Sequence, residues 1–366
     1  MKILHVSTII EWRGGDSQML TTFNILKGFA DIEQIILCPS GSVLESKCQE
    51  SGIPHYSASR KSKFSVPFIQ QLINVVKEEK VDVLHVHDSN SFSLSLVALK
   101  FLRDVKFVYS RKRNNHIKKN YFKNLKYNND RINRIVCVSD AVRNVLLPVV
   151  KNPEKIEVIY DGIDVAKFGP KSSREIIEKD FNITPDTFVI GNIAGLTKQK
   201  DLKTFLDAAK KIKEKHPGKL KFLILGKGPL EEEIKAYTAQ ISMENDVIFT
   251  GFRSDVAEIL PELDLFLNSS ETEGLPLSIM EAFACKVPVA ATAAGGTGEA
   301  IQNKITGMIS PVKEPEELAN NALLLIQNEE LKKEIIENAY NLVHKKFTLD
   351  VMQKEYAEFY RSLVEN

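Results

Sequence analysis

Cysteine is scarce. Cys38, Cys48, Cys137 and Cys285 are the only four in 366 residues, and none forms a close Cys-pair spacing. That excludes a disulfide framework or a zinc-ligand set and fits reduced thiols in the cytoplasm. No apolar run approaches the roughly 20 residues of a membrane span. The chain opens directly on a strand, Lys2 to Ser7, without the shape of a signal peptide. Neither charge dominates: 49 Lys and Arg stand against 48 Asp and Glu, a formal net charge of +1. No overall field argues for nucleic acid. The three-glycine dinucleotide fingerprint is missing, which weighs against an NAD or FAD dehydrogenase. Repeats and low-complexity tracts are absent.

What is present is an α/β alternation, run through twice. The length suggests two domains. Ile3-Leu4-His5-Val6 is an apolar strand. It runs into Trp12-Arg13-Gly14-Gly15, then a helical pattern from Met19 to Phe29. Strand, glycine loop and helix open a doubly wound sheet, and Gly14 and Gly15 let backbone N–H groups approach a phosphate. Trp12 is the only Trp, either a stacking platform or packing. Val83 to Asp88 is a strand on which His85 and His87 share a face, as ligands or as core. A basic segment, 111–134, interleaves Arg and Lys with Tyr121, Phe122, Leu125 and Tyr127. It reads as a surface for an anionic membrane or a phosphorylated acceptor, or as a solvated helix with a packed aromatic side. The polar run Lys167 to Lys179 marks a linker. The second half repeats the pattern, with strands at Phe188–Ala194, Phe222–Leu225, Val247–Arg253 and Leu263–Ser270. An amphipathic helix, Phe347 to Val364, ends the chain.

The stretch from Glu271 to Ala282 carries the densest chemistry. Glu273 lies in a strand-to-helix loop beside Gly274, and Glu281 lies inside the following helix. Free N–H groups at that helix start make an anion or polyol site. Ionised carboxylates only accept hydrogen bonds, which suits a ligand rich in hydroxyls. A solvated loop Glu with a structural helix Glu is the alternative reading.

Glu273, seven residues and Glu281, then Ala282-Phe283-Ala284-Cys285, the small strand Val287–Ala290 and the turn Gly295-Gly296 form a recognisable series. Asp161-Gly162-Ile163-Asp164 closes the first half. The series resembles the retaining glycosyltransferases of family four, the group 1 enzymes of the GT-B fold. The resemblance covers nearly the whole chain. It implies two doubly wound parallel-sheet domains facing across a cleft. These are an acceptor-binding domain at 1–165, a nucleotide-sugar-binding domain at 166–346, and a last helix at 347–366 crossing back to the first domain. The implied reaction moves a sugar from a nucleotide-sugar, a UDP-sugar by preference, to a hydroxyl of a cell-envelope glycan or lipid-linked acceptor. Glu273, Lys200 and His87 are the implied catalytic groups. Gly14, Gly15, Lys200, Arg253, Glu273, Gly274, Leu275, Glu281, Gly295 and Gly296 would hold the donor. Trp12, Arg13 and Arg111 would meet the acceptor.

Two departures stand out. Gly195 occupies the place of the family's usual Arg, leaving Lys200 as the one matched cation, with Lys198, Arg13 or Arg111 as candidates for the second. Tyr109-Ser110-Arg111 replaces a usual His. The chain contains no Asp-any-Asp, so neither a metal nor a cofactor is expected; cations and helix N-termini would hold the diphosphate. The expected location is cytoplasmic, peripheral on the inner face of the plasma membrane through the basic segment. A same-fold sugar-nucleotide epimerase or phosphorylase, and a non-catalytic sugar-nucleotide-binding protein, are the alternatives.

Overall fold

The computed structural model describes residues 1–12, 14–118, 120–171 and 173–365. They form two compact units: Met1–Asp161 with Asp350–Asn366, and Gly162–Leu349.

The first unit is built on seven strands. They are β1 (Lys2–Val6), β2 (Glu33–Pro39), β3 (His55–Ala58), β4 (Val83–Val86), β5 (Lys106–Arg111), β6 (Arg134–Cys137) and β7 (Ile156–Val158). All pair in parallel, in the order β3-β2-β1-β4-β5-β6-β7. The second unit has β8 (Phe188–Ile193), β9 (Leu220–Leu225), β10 (Val247–Gly251), β11 (Leu265–Asn268), β12 (Val289–Thr292) and β13 (Met308–Ser310). Their order is β10-β9-β8-β11-β12-β13, again parallel. Parallel strands need crossover helices, which cover both faces of the sheet. Hence every residue of β4, β11 and β12 is buried, and these strands read as apolar runs.

Each sheet reverses its winding once, between β1 and β4 in the first and between β8 and β11 in the second. At such a switch point the two flanking loops diverge at the carboxyl ends and leave a crevice. The loops after β8 and β11 are the ones that carry Lys200 and Glu273.

Helix Leu202–Lys215 buries Phe205, Leu206, Ala208, Ala209 and Ile212 against a core that also holds Leu318 and Ala322 of helix Pro315–Gln327. The run Lys167 to Lys179 is not purely a linker. Helix Glu175–Phe181 begins within it, buries Ile177, and the Ile177 N–H donates to the Glu262 carboxylate at 2.9 Å. The terminal helix Leu349–Glu365 buries Met352, Tyr356, Phe359, Tyr360 and Leu363 in the first unit. Arg361 pairs there with Asp31 at 2.8 Å, and the Gln353 amide donates to the Ile25 carbonyl. Among the described residues no helix is long and apolar enough to cross a membrane.

Candidate functional site

The switch point of the second sheet brings together two loops far apart in sequence. The backbone after β8 makes a 3₁₀ turn, Lys198–Lys200, and passes through Asp201 at φ 42° into helix Leu202–Lys215. The loop after β11 is stapled onto it: Glu271 N–H donates to Gln199 O at 2.8 Å, and Ser269 Oγ to Lys200 O at 3.0 Å. Lys200 Nζ then reaches Glu273 Oε1 at 2.6 Å, and Ser270 Oγ donates to the same oxygen at 2.7 Å. Behind them Gly296 N–H donates to Glu273 O at 3.1 Å, tying the glycine turn to the motif. Gly295 takes φ 53°, the left-handed region that glycine enters without strain.

Of these groups Lys200 and Glu273 border a pocket of about 470 Å³, whereas Gly295 and Gly296 are not in its lining; the volume is within the range of ligand sites. Gly195, Lys200, Arg253, Glu273 and Leu275 line it, and so do Pro276, Leu277 and Ser278, where helix Leu277–Ala284 begins. Gly274 is not among the lining residues. Arg253 arrives already engaged, paired with Asp255 at 2.6 Å and Asp180 at 2.7 Å and stacked over Phe181. Lys198 is exposed and does not line the pocket. Lys227 does line it, and the sequence reading passed it over. Its signal was a lysine set between two glycines where β9 ends, read only as a turn.

Glu281 sits apart from that lining, in the body of helix Leu277–Ala284. Burial pushes its carboxyl up to about 7, with Lys167 opposing the shift. Among the described residues its carboxyl makes no hydrogen bond or ion pair.

In the first unit the switch point holds a histidine network. Gln34 Nε2 donates to Phe23 O at 2.9 Å, which fixes the amide and leaves Oε1 to accept from His5 Nε2 at 3.1 Å. Burial pushes His5 down to about 4, so it is neutral near pH 7 and its Nδ1 is bare. His87 Nε2, 3.0 Å away, must therefore carry its proton and donate. His87, also driven well down by burial, is left with an Nδ1 lone pair that is buried and has no partner. His85, its ring 4.2 Å from that of His87 and tilted by 32°, meets Tyr360 OH at 2.5 Å and Ser110 Oγ at 2.8 Å. Ring nitrogens of His5, His85 and His87 lie within 4.8 Å of one another, the spacing of a metal set. Hydrogen bonds to each other, to Gln34, to Ser110 and to Tyr360 occupy every ring nitrogen of the three except Nδ1 of His87.

Gly14 and Gly15 are not a loop before the helix; Gly14 is the first residue of helix Gly14–Leu26, and a Cβ on either would meet nothing within 4 Å. Trp12 is partly exposed, with Lys47 Nζ 4.7 Å from its ring. Arg13 lies outside the described residues. Arg111 is buried at the end of β5, donating to Tyr127 OH at 3.2 Å and Asn115 O at 2.7 Å. It is therefore no free cation.

The basic segment is also more divided than its composition suggests. Lys112 pairs with Asp161 at 2.7 Å, Arg131 donates to the carbonyls of Leu99 and Leu102, and Arg134 pairs with Glu157. Lys126 turns inward onto Ser89 and Ser93. The aromatic side is not packed. Helix Tyr121–Tyr127 buries Tyr127 but leaves Tyr121 71%, Phe122 79% and Leu125 53% exposed. A second basic and aromatic stretch stands next to it. Lys126 Nζ meets Ser89 O at 2.6 Å, and the amide of the adjacent Asn90, suitably turned, meets Lys63 O at 3.1 Å and the Arg60 guanidinium at 3.3 Å. That stretch carries Phe64, 75% exposed, and Val66, 73% exposed.

Known proteins bear on this geometry. The family model for glycosyl transferases group 1 matches residues 173–342, and that for glycosyltransferase family 4 matches residues 26–167. N-acetyl-alpha-D-glucosaminyl L-malate synthase of Bacillus anthracis is 25% identical over 324 residues, 85% of this chain and 82% of that one. The UDP-Gal:alpha-D-GlcNAc-diphosphoundecaprenol alpha-1,3-galactosyltransferase of Escherichia coli is 24% identical, over 87% of this chain and 89% of its own. Among solved structures, Anabaena HepE in complex with UDP and glucose superposes with a TM-score of 0.85 at 20% identity, covering 99% of this chain and 100% of that one. A glycosyltransferase from Rickettsia africae gives 0.86 at 24% identity, covering 100% and 99%. The structural likenesses establish the GT-B fold, and with the two family models matching most of the sequence, the chain belongs to the group 1 glycosyltransferases of family four.

Proposed function

We propose that the chain transfers a hexose from a UDP-sugar to a hydroxyl of a cell-envelope glycan or lipid-linked acceptor, keeping the anomeric configuration and using no metal ion. The observation that carries this reading is the Lys200–Glu273 pair at the mouth of the second unit's switch-point pocket. A departing nucleoside diphosphate develops negative charge, and a fixed cation stabilises it where it forms. Glu273, positioned by Lys200 and Ser270, presents its remaining acceptor capacity to the hydroxyls of the donor sugar. Glu281, desolvated and without a partner, gains two donors if the ribose hydroxyls meet it. The first unit is the acceptor-binding part in this reading, with Trp12 and His87, whose buried Nδ1 has no partner among the described residues, as the groups that would meet the acceptor. The UDP preference and the lipid-linked acceptor follow the names of the Escherichia coli relative's donor and acceptor. Without Asp-any-Asp ligands, lysines and backbone N–H groups hold the diphosphate.

Calorimetric titration with UDP, GDP and ADP tests the donor, and the anomeric proton coupling of the transferred sugar tests retention. UDP should bind most tightly, and EDTA should leave the transfer rate unchanged. Equal affinity for the three nucleotides, or an inverted anomer, contradicts the reading. The epimerase and phosphorylase alternatives would instead release free epimer or sugar phosphate.

A further inference from the structure

The pocket lacks the arginine that position 195 would supply, yet it is not short of positive charge. Lys227 stands beside that position. Its carbonyl accepts from Leu196 N–H at 3.1 Å, and Leu230 N–H donates back to Leu196 O at 3.1 Å, so the 226–230 turn is bonded to the loop that carries Gly195. The two flanking glycines are obligatory there. A Cβ on Gly226, which has φ +145°, would lie 2.0 Å from Ala194 O, and one on Gly228 would lie 2.4 Å from Leu196 O. Only a Gly-Lys-Gly sequence brings a lysine this close to the strand end. The Lys227 chain passes over Gly251, whose added Cβ would fall 3.2 Å from Lys227 Cε.

Lys227 is exposed and, among the described residues, its ammonium has no hydrogen bond or ion pair. Glu231, the carboxylate that senses it, is already paired with Lys235 at 2.7 Å. Lys200 is held by Glu273, and Arg253 by Asp255 and Asp180. Lys227 is thus the cation in the lining whose charge is not already matched. A Cβ at Gly195 would sit 3.7 Å from Lys227 O, in ordinary contact and with no positive φ, so a side chain at 195 would enter the same space.

We infer that Lys227 supplies the second cation for the diphosphate, taking the part of the arginine that Gly195 cannot provide. This rests on the reading of the pocket as a nucleoside diphosphate site, and the test separates the two. UDP and uridine share a base and ribose, so the ratio of their affinities isolates the diphosphate. The wild-type chain should prefer UDP strongly; no preference overturns the site reading itself. Lys227→Ala should weaken UDP by about 10-fold or more, the scale of one charge-assisted hydrogen bond, and leave uridine unchanged. Its melting temperature without ligand should match the wild type, because the ammonium makes no structural bond. Gly195→Arg should restore UDP affinity in the Lys227→Ala background and be neutral or inhibitory in the wild type. Lys200→Ala, by contrast, should not be rescued by Gly195→Arg. A Lys227→Ala chain that keeps the full UDP-over-uridine preference overturns the inference while leaving the site reading intact.

Discussion

Glu281 shows how a single side chain can oppose stability while serving a ligand. Its carboxyl is raised from 4.5 to about 7 because the helix interior desolvates it. Between those values the folded chain holds a proton that the unfolded chain has released, so stability falls as pH rises through that window and the deficit is complete above it. Glu281→Gln removes the deficit. Denaturation at pH 8 should show the variant more stable by about 1–3 kcal/mol, with the gain vanishing below pH 4.5. The same change should weaken nucleotide binding by about 1–3 kcal/mol, the worth of a charge-assisted hydrogen bond to a hydroxyl. The pH-dependent gain follows from burial alone, so the lost affinity is the discriminating result, and unchanged calorimetry would remove Glu281 from the ribose.

At the scale of the element, helix Tyr121–Tyr127 and the 60–66 stretch act as one surface. Helical spacing sends Tyr121, Phe122 and Leu125 outward, while Lys126 binds the start of helix Ser89–Ala98, where Asn90 reaches Lys63 and Arg60. The chain has no Asp or Glu from residue 105 to residue 129 or from 59 to 66. Exposed aromatics in stretches that also carry Arg60, Lys61, Lys63, Arg113 and Lys118 would suit an anionic lipid surface. Co-sedimentation should rise with phosphatidylserine content and fall with salt, and Phe64→Ser or Phe122→Ser should each reduce it. Equal sedimentation with neutral and anionic vesicles would leave the two stretches as ordinary solvated surface. The sequence showed only half of this. Periodicity and buried apolar runs located most strands and the Glu273 loop, because each parallel strand announces itself locally. What it hid depends on strand order. Lys200 meets Glu273 because β8 lies beside β11, and His5 meets His87 because β1 lies beside β4. His5 sits mid-strand among apolar neighbours and has no local mark. Lys227 was hidden differently, since its role depends on an arginine missing 32 positions earlier, at Gly195.

Across the whole molecule, acid sensitivity should concentrate in the first unit. His5, pushed down to about 4, and His85 and His87, well below 6.5, are all lowered chiefly by burial. Below pH 6.5 the unfolded chain takes up protons that the folded cluster refuses, so each histidine removes about 1.4 kcal/mol per pH unit until its folded value is passed. Urea midpoints measured from pH 7 to pH 4.5 should drop steeply, and His5→Gln should flatten the curve. A midpoint constant across that range would show that the cluster is not neutral when folded.

The terminal helix seals this cluster, since Tyr360 bonds His85 and both Tyr356 and Tyr360 are fully buried. Its residues, from Asp350 onward, complete a unit whose first strand begins at Lys2. A ribosome delivers the amino end first and domains tend to fold as they emerge. Here the sheet that emerges first must wait, with the seat for two tyrosines open, until all of Gly162–Leu349 has been made. The first unit therefore cannot complete its native packing before Gly162–Leu349 has been translated, and its open seat for the two tyrosines lasts as long as that translation takes.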